Sequence, residues 1–125
     1  MRNSYLAGAV LAIAGSSIAV LPAGVASAQH LCPADRPCVT ELYQSGSTIQ
    51  IGWDGHQKYD AYNVRWSRPG RAEAQFEVSG GSRGHTQITN AHSHTTYTVK
   101  VQGCTTHFLA SSTCTPWAEE TITTK

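Results

Sequence analysis

The sequence predicts an all-β domain, an antiparallel β-sandwich of about seven short strands. Three observations carry this expectation. Apolar residues recur at every second position in three separate stretches, the period of a strand with one buried and one wet face. No window of a dozen residues shows the i, i+3, i+4, i+7 spacing of an amphipathic helix. Turn-forming clusters interrupt the chain roughly every ten residues, at Ser45-Gly46-Ser47, Asp54-Gly55, Arg68-Pro69-Gly70, Gly80-Gly81-Ser82 and Thr115-Pro116.

Before the strands comes a leader. Met1–Tyr5 carries one charge, Arg2, and Leu6–Val25 carries none. The stretch closes on Val25-Ala26-Ser27-Ala28, where small residues bracket a cut before Gln29. That order is the layout of a signal peptide over residues 1–28. Ser16, Ser17, Pro22 and the closing small residues suit a cleaved segment better than a permanent span. Of the nine Lys and Arg in the chain only Arg2 precedes the cut, so eight remain against eight Asp and Glu. A balanced charge gives no electrostatic handle on nucleic acid, so no nucleic-acid partner is expected.

The strands follow in order. Val39–Tyr43 comes first. In Thr48–Trp53, Ile49, Ile51 and Trp53 share one face. In Ala61–Ser67, Tyr62, Val64 and Trp66 alternate with Asn63 and Arg65. Ala74–Val78 carries Phe76 and Val78, and His85–Thr89 carries Ile88. Thr96–Gln102 places Tyr97, Val99 and Val101 inward, and Trp117–Thr123 ends the chain with Trp117 and Ile122. The expected core is therefore Ile49, Ile51, Trp53, Tyr62, Val64, Tyr97, Val99 and Val101.

A domain this small gains from bracing. Cys32, Cys38, Cys104 and Cys114 all follow the cut, in an exported and oxidising setting. Four cysteines allow three connectivities. The spacing favours Cys32–Cys38 and Cys104–Cys114, each closing a short loop worth roughly 2–3 kcal/mol. Neither spacing matches a zinc finger or knuckle, so no metal is expected.

The strand order resembles the fibronectin type III family over about Val39 to Thr123. Ile49-Gln50-Ile51-Gly52-Trp53 is similar to its strand B, Tyr62-Asn63-Val64-Arg65-Trp66 to strand C, and His85–Asn90 with Thr95–Val101 to strands E and F. The resemblance implies an immunoglobulin-like, fibronectin type III-like sandwich over residues 39–125, behind a disulfide-bearing segment at 29–38. It also implies that Tyr97 anchors the turn before its strand through its hydroxyl. The chain departs from the family at Ala91 and Ser93, where the family places Leu and Pro. It departs again in having cysteines. In the implied fold Cys104 and Cys114 flank the F–G hairpin. The amino-terminal segment lies at the same pole, so cross-pairing stays open.

No catalytic constellation emerges. The carboxylates Asp54, Asp60, Glu73, Glu77, Glu119 and Glu120 are scattered over turns and sheet faces rather than paired about a cleft. His92 and His94 fall in one turn with no third ligand. Neither an enzyme nor a cofactor is expected. The candidates for binding are His107, Phe108 and Leu109, in the loop Thr105–Thr113 between two cysteines, and Trp66 and Trp117 near strand ends. Large apolar residues in a loop either fold back on the sandwich or present a contact surface. Aromatic rings near strand ends either pack at the rim or stack on sugars. Asn63, Arg65, Thr98, Lys100 and Gln102 form a weaker polar strip.

The leading expectation is a secreted, monomeric, non-catalytic module binding an extracellular protein or polysaccharide, with no membrane span after cleavage. The alternatives are a carbohydrate-binding module accessory to secreted glycoside hydrolases, and a small disulfide-stabilised inhibitor. Amino-terminal sequencing of the exported protein is expected to begin at Gln29; a chain retaining Leu6–Val25 would refute the leader.

Overall fold

The computed structural model describes residues 32–107 and 111–125. The expected leader, Phe108 and Leu109 lie outside the described residues. Among the described residues six strands form a single antiparallel sheet: β1 Cys38–Ser45, β2 Thr48–Arg68, β3 Arg71–Ile88, β4 Thr96–Thr105, β5 Thr113–Cys114 and β6 Ala118–Thr123. No helix occurs among the described residues.

The count differs from seven because two pairs of expected strands are continuous and one short strand, β5, is added. Thr48–Trp53 and Ala61–Ser67 are parts of β2, which runs for 21 residues, and Ala74–Val78 and His85–Ile88 are parts of the 18-residue β3. Asp54-Gly55 and Gly80-Gly81-Ser82 do not reverse the chain. They mark an irregularity in which the register slips between Asp54 and Tyr59, opposite Arg83 and Gly81. Extra residues in one strand of a pair bend and twist it, so a turn-like composition here yields a corner instead of a hairpin. Gly80 is needed at that corner: a Cβ there would collide with the backbone carbonyls of Tyr59 and Asp60.

The corner divides the sheet into two halves. Before it, Thr48–Asp54 of β2 pairs with β1 on one side and with Arg83–Ile88 of β3 on the other. Beyond it, Ala61–Ser67 pairs with β4, and the amino-terminal half of β3 lies along its other edge. Strands β5 and β6 both pair with β4. Val39, Ile49, Ile51, Trp53 and Ile88 from one half join Tyr62, Val64, Tyr97, Val99 and Val101 from the other in one core. The sheet thus folds over on its own apolar face, in a sandwich-like arrangement. All eight residues expected in the core are buried.

Aromatic side chains fill the core next to the corner. The Trp53 and Tyr59 rings each meet Tyr62 edge-on, with centroids 5.4 and 5.7 Å away. Such contacts add about 0.5–1.5 kcal/mol beyond burial. The Tyr62 hydroxyl donates to the Gly81 carbonyl at 2.8 Å, which ties β2 to β3 across the bend. Burial pushes the Tyr62 pKa up, the tyrosinate being poorly solvated there.

The turn before β4 is held without the family's Leu and Pro. The Tyr97 hydroxyl accepts the His92 N–H at 2.8 Å. Buried Thr124 accepts the Thr95 N–H at 3.0 Å and donates to the His92 carbonyl. Ala91 packs against the core, and its N–H bonds the Ser47 carbonyl at 2.7 Å. Hydrogen bonds here do the fixing that a proline torsion does elsewhere.

Of the three possible pairings, the disulfides take the two local ones. Cys32–Cys38 joins Cα atoms 5.4 Å apart, and Cys104–Cys114 joins directly opposed residues of β4 and β5 with Cα atoms 4.1 Å apart. Arg36, inside the first loop, donates to the Trp117 carbonyl at 3.3 Å and so docks that loop beside β6.

Two outcomes follow. Tyr97→Phe leaves the His92 N–H without its acceptor and is expected to cost about 1 kcal/mol, lowering Tm by roughly 4–8 °C; an unchanged Tm would show that the hydroxyl is not structural. Glu120 lies opposite buried Val99, and burial pushes its pKa up. A raised carboxyl pKa favours folding while the group is protonated. That contribution is complete below the ordinary glutamate value of about 4.3 and is lost as pH rises through the higher folded value. Relative to wild type, Glu120→Gln should therefore gain stability as pH climbs from about 4.3 through the higher folded value. Melting curves whose difference is flat across this window would exclude the effect.

Candidate functional site

The outer face of β1, the first half of β2 and the second half of β3 carries the best-formed candidate. Its shape begins with a break in the alternation of β1. The register shifts between Val39 and Glu41, so Val39 faces the core opposite Trp53 while Glu41 pairs with Gly52 and Tyr43 with Gln50 on the outer face. Across β2, Gly52 also pairs with His85, Asp54 with Arg83 and Gln50 with Gln87. The middle strand thus has no side chain at Gly52, and its neighbours rise on either side.

The result is a groove of about 590 Å³ walled by Glu41, Asp54, Arg83 and His85. Two glycines, Gly52 and Gly84, line it. A Cβ at Gly52 would come within 2.8 Å of the Glu41 carboxylate, and one at Gly84 would strike the Trp53 indole. The Trp53 ring is buried beneath, and its Nε1–H, against Gly84, has no partner among the described residues. Tyr43, 49 % exposed, stands two residues along β1 from Glu41 on the same face.

What distinguishes this face is hydrogen-bonding capacity left open. Glu41, Arg83 and His85 make no side-chain hydrogen bond or ion pair within the described residues. Asp54 uses one oxygen on the His56 N–H at 2.8 Å. Only Gln50 and Gln87 are paired with each other, at 3.1 Å. Carboxylate, guanidinium and imidazole groups around a cavity of this size, beside an aromatic ring, suit a ligand rich in hydroxyl groups.

The polar strip on the opposite sheet half is the contrast. Asn63 donates to Gln102 at 3.0 Å, and Gln102 donates to the Thr115 carbonyl at 3.0 Å. Arg65 and Lys100 both reach Glu73 at 3.8 Å. The Arg65 guanidinium also lies 4.7 Å above the Trp117 ring. The strip is largely satisfied from within, and Trp117 has one ring face covered.

Of the expected binding residues, the described ones, Trp117, Trp66 and His107, line three different pockets. Trp117 lines a cleft between the first disulfide loop and β6, with Arg36, Glu119 and Glu120. Trp66 lies on the inner side of the sheet, against Tyr97 at 5.6 Å, with the Arg71 guanidinium 4.6 Å over its ring. His107 sits at the base of the cysteine loop, its Nε2 2.7 Å from the Thr113 hydroxyl. It shares a pocket of about 440 Å³ with His56, Gln57 and Tyr59 from the corner of β2. The Asp60 carboxylate accepts the Thr106 N–H at 2.6 Å, so the corner and the loop base are in contact. Phe108 and Leu109 are outside the described residues. His92 and His94 lie in the turn before β4, and no group of three metal-binding side chains occurs among the described residues.

Gly80-Gly81-Ser82-Arg83-Gly84 has the spacing of a nucleophile elbow. Here it lies inside β3, not at a strand-to-helix turn, and Ser82 bonds no histidine among the described residues. Tyr43 and the groove do not stand out in the sequence. The available signal was Gly52, a glycine inside an alternating strand, which often marks close approach of a ligand or another backbone.

No protein-family model and no curated protein matches the sequence. Eleven chains of solved structures match the fold. Among them is the crystal structure of a Br derivative of BhCBM56, a carbohydrate-binding module. It is 9 % identical, with a TM-score of 0.51, and the match covers 69 % of this chain and 91 % of that one. At that identity the likeness is one of fold.

Proposed function

We propose that this chain is a non-catalytic extracellular carbohydrate-binding module, and that the groove over Gly52 is its sugar site. The observation that carries the reading is the open hydrogen-bonding capacity of Glu41, Arg83 and His85 around a glycine floor, one step from half-exposed Tyr43. Sugar hydroxyls both donate and accept, so a wall offering carboxylate oxygens and guanidinium N–H groups serves them from both sides. The apolar face of a pyranose ring stacks on a phenol such as Tyr43. The fold likeness to a carbohydrate-binding module supports the same class. Two disulfides support an oxidising, extracellular setting.

The sandwich itself is best read as fibronectin type III in type. Supporting this are the division of β2 and β3 between two sheet halves and the Tyr97 hydroxyl on the backbone five residues upstream.

The test is retention on cellulose, chitin, mannan and soluble β-glucan, with Tyr43→Ala as the variant. Loss of about 1 kcal/mol of ring contact should weaken the best ligand five- to tenfold with an unchanged melting temperature. A wild-type chain that none of these neutral polysaccharides retains, or a Tyr43→Ala chain that binds as wild type, sinks the groove reading.

A further inference from the structure

A second cleft, of about 390 Å³, lies where β2 turns into β3, with Trp66, Arg68, Arg71, Gln87, Asn90 and Tyr97 in its lining. No carboxylate lines it. Arg68 and Arg71 are directly opposed in the register of the β2–β3 turn. Like charges placed so are destabilising, and neither arginine has an acidic partner among the described residues. The other arginines flanking Trp residues are treated differently: Arg65 faces Glu73, and Arg36 pairs with Asp35.

Both guanidinium groups are nevertheless held in place. Arg71 is stacked 4.6 Å over the Trp66 ring. It spends one terminal nitrogen on the Ala72 carbonyl at 2.9 Å. Stacking occupies the face of the guanidinium and leaves the other in-plane N–H groups available, which is the edge that grips a carboxylate or sulfate. Arg68 reaches the Pro69 carbonyl at 3.2 Å and His92 Nε2 at 3.3 Å, again without a negative charge. Two positioned cations with no counter-charge, in a cleft also lined by Asn90, make a receptor for an anionic group carried on a hydroxyl-bearing ring.

We propose that this cleft binds the acidic sugars of a polysaccharide, with Arg68 and Arg71 taking the charged group and Trp66 acting as a positioning residue for Arg71. The site goes beyond the groove over Gly52 and does not depend on it. A ring carrying a carboxylate and one carrying a sulfate ester present the same chemistry to two guanidinium groups, and the choice between them is left to the experiment.

The full chain is tested on immobilised polygalacturonate and dextran sulfate, with fully methyl-esterified pectin and plain dextran as their neutral counterparts. Retention by at least one acidic polymer and not by its neutral counterpart is expected, with elution as salt screens the contact. The acidic polymer that is retained identifies the source of the charge. Arg68→Gln is expected to weaken retention at least tenfold without lowering Tm, because it removes a like-charge pair. Should that variant not fold, Arg71→Gln is expected to give the same loss. Retention of both variants at wild-type strength, equal binding of a neutral counterpart, or failure of both acidic polymers overturns the proposal. Tyr43→Ala separates the two sites: it should weaken only the neutral polysaccharides. Acidic binding that persists where no neutral polymer binds refutes the groove alone, and the reverse refutes the cleft alone.

Discussion

The fold depends on one corner, where β2 and β3 bend together. Both strands are long, and each belongs to both halves of the sheet, so the bend must be made twice in register. Steric access at Gly80 permits the approach, since any side chain would meet the carbonyls of Tyr59 and Asp60. The Tyr62 hydroxyl then fastens the bend by bonding the Gly81 carbonyl from inside the core. Around that point Trp53, Tyr59 and Tyr62 fill the space between the halves. The same bend directs Asp54 and Arg83 to the wall of the groove and brings Asp60 to the cysteine loop.

Much of this was legible in the sequence. Alternation at period two places Ile49, Ile51, Trp53, Tyr62, Val64, Tyr97, Val99 and Val101 in the core, because a buried sheet face admits little else. The corner was not legible, since Asp-Gly and Gly-Gly report only that the backbone departs from a straight strand. Whether it reverses or merely bends is decided by what packs inside, here Tyr62. Tyr43 was hidden for a related reason. Read by simple alternation it shares a face with Val39, but the irregularity between Val39 and Glu41 turns it to the outside.

The candidate site was less legible than the fold, because sequence shows side chains and not their partners. Trp66 and Trp117 look alike in the sequence as large rings near strand ends. In the structure each is covered on one face by an arginine from another strand or turn. Asn63, Arg65, Lys100 and Gln102 look like an open polar strip and are largely bonded to one another or to Glu73. Glu41 and His85 look unremarkable and are the groups left open. Availability, which separates a binding surface from a solvated one, arises only when the strands are brought together.

The placement of Glu120 bears on how the molecule behaves at high concentration. Among the described residues strand β6 pairs with β4 alone, and its other edge, beside the first disulfide loop, takes part in no ladder. Over residues 29–125 positive and negative side chains cancel, and long-range repulsion between copies is weak. A carboxylate on the inner side of that edge would have to be dehydrated before a second sheet could zip onto it. A single inward-facing carboxylate at a sheet edge opposes such pairing through its own hydration, with no need of a large net charge.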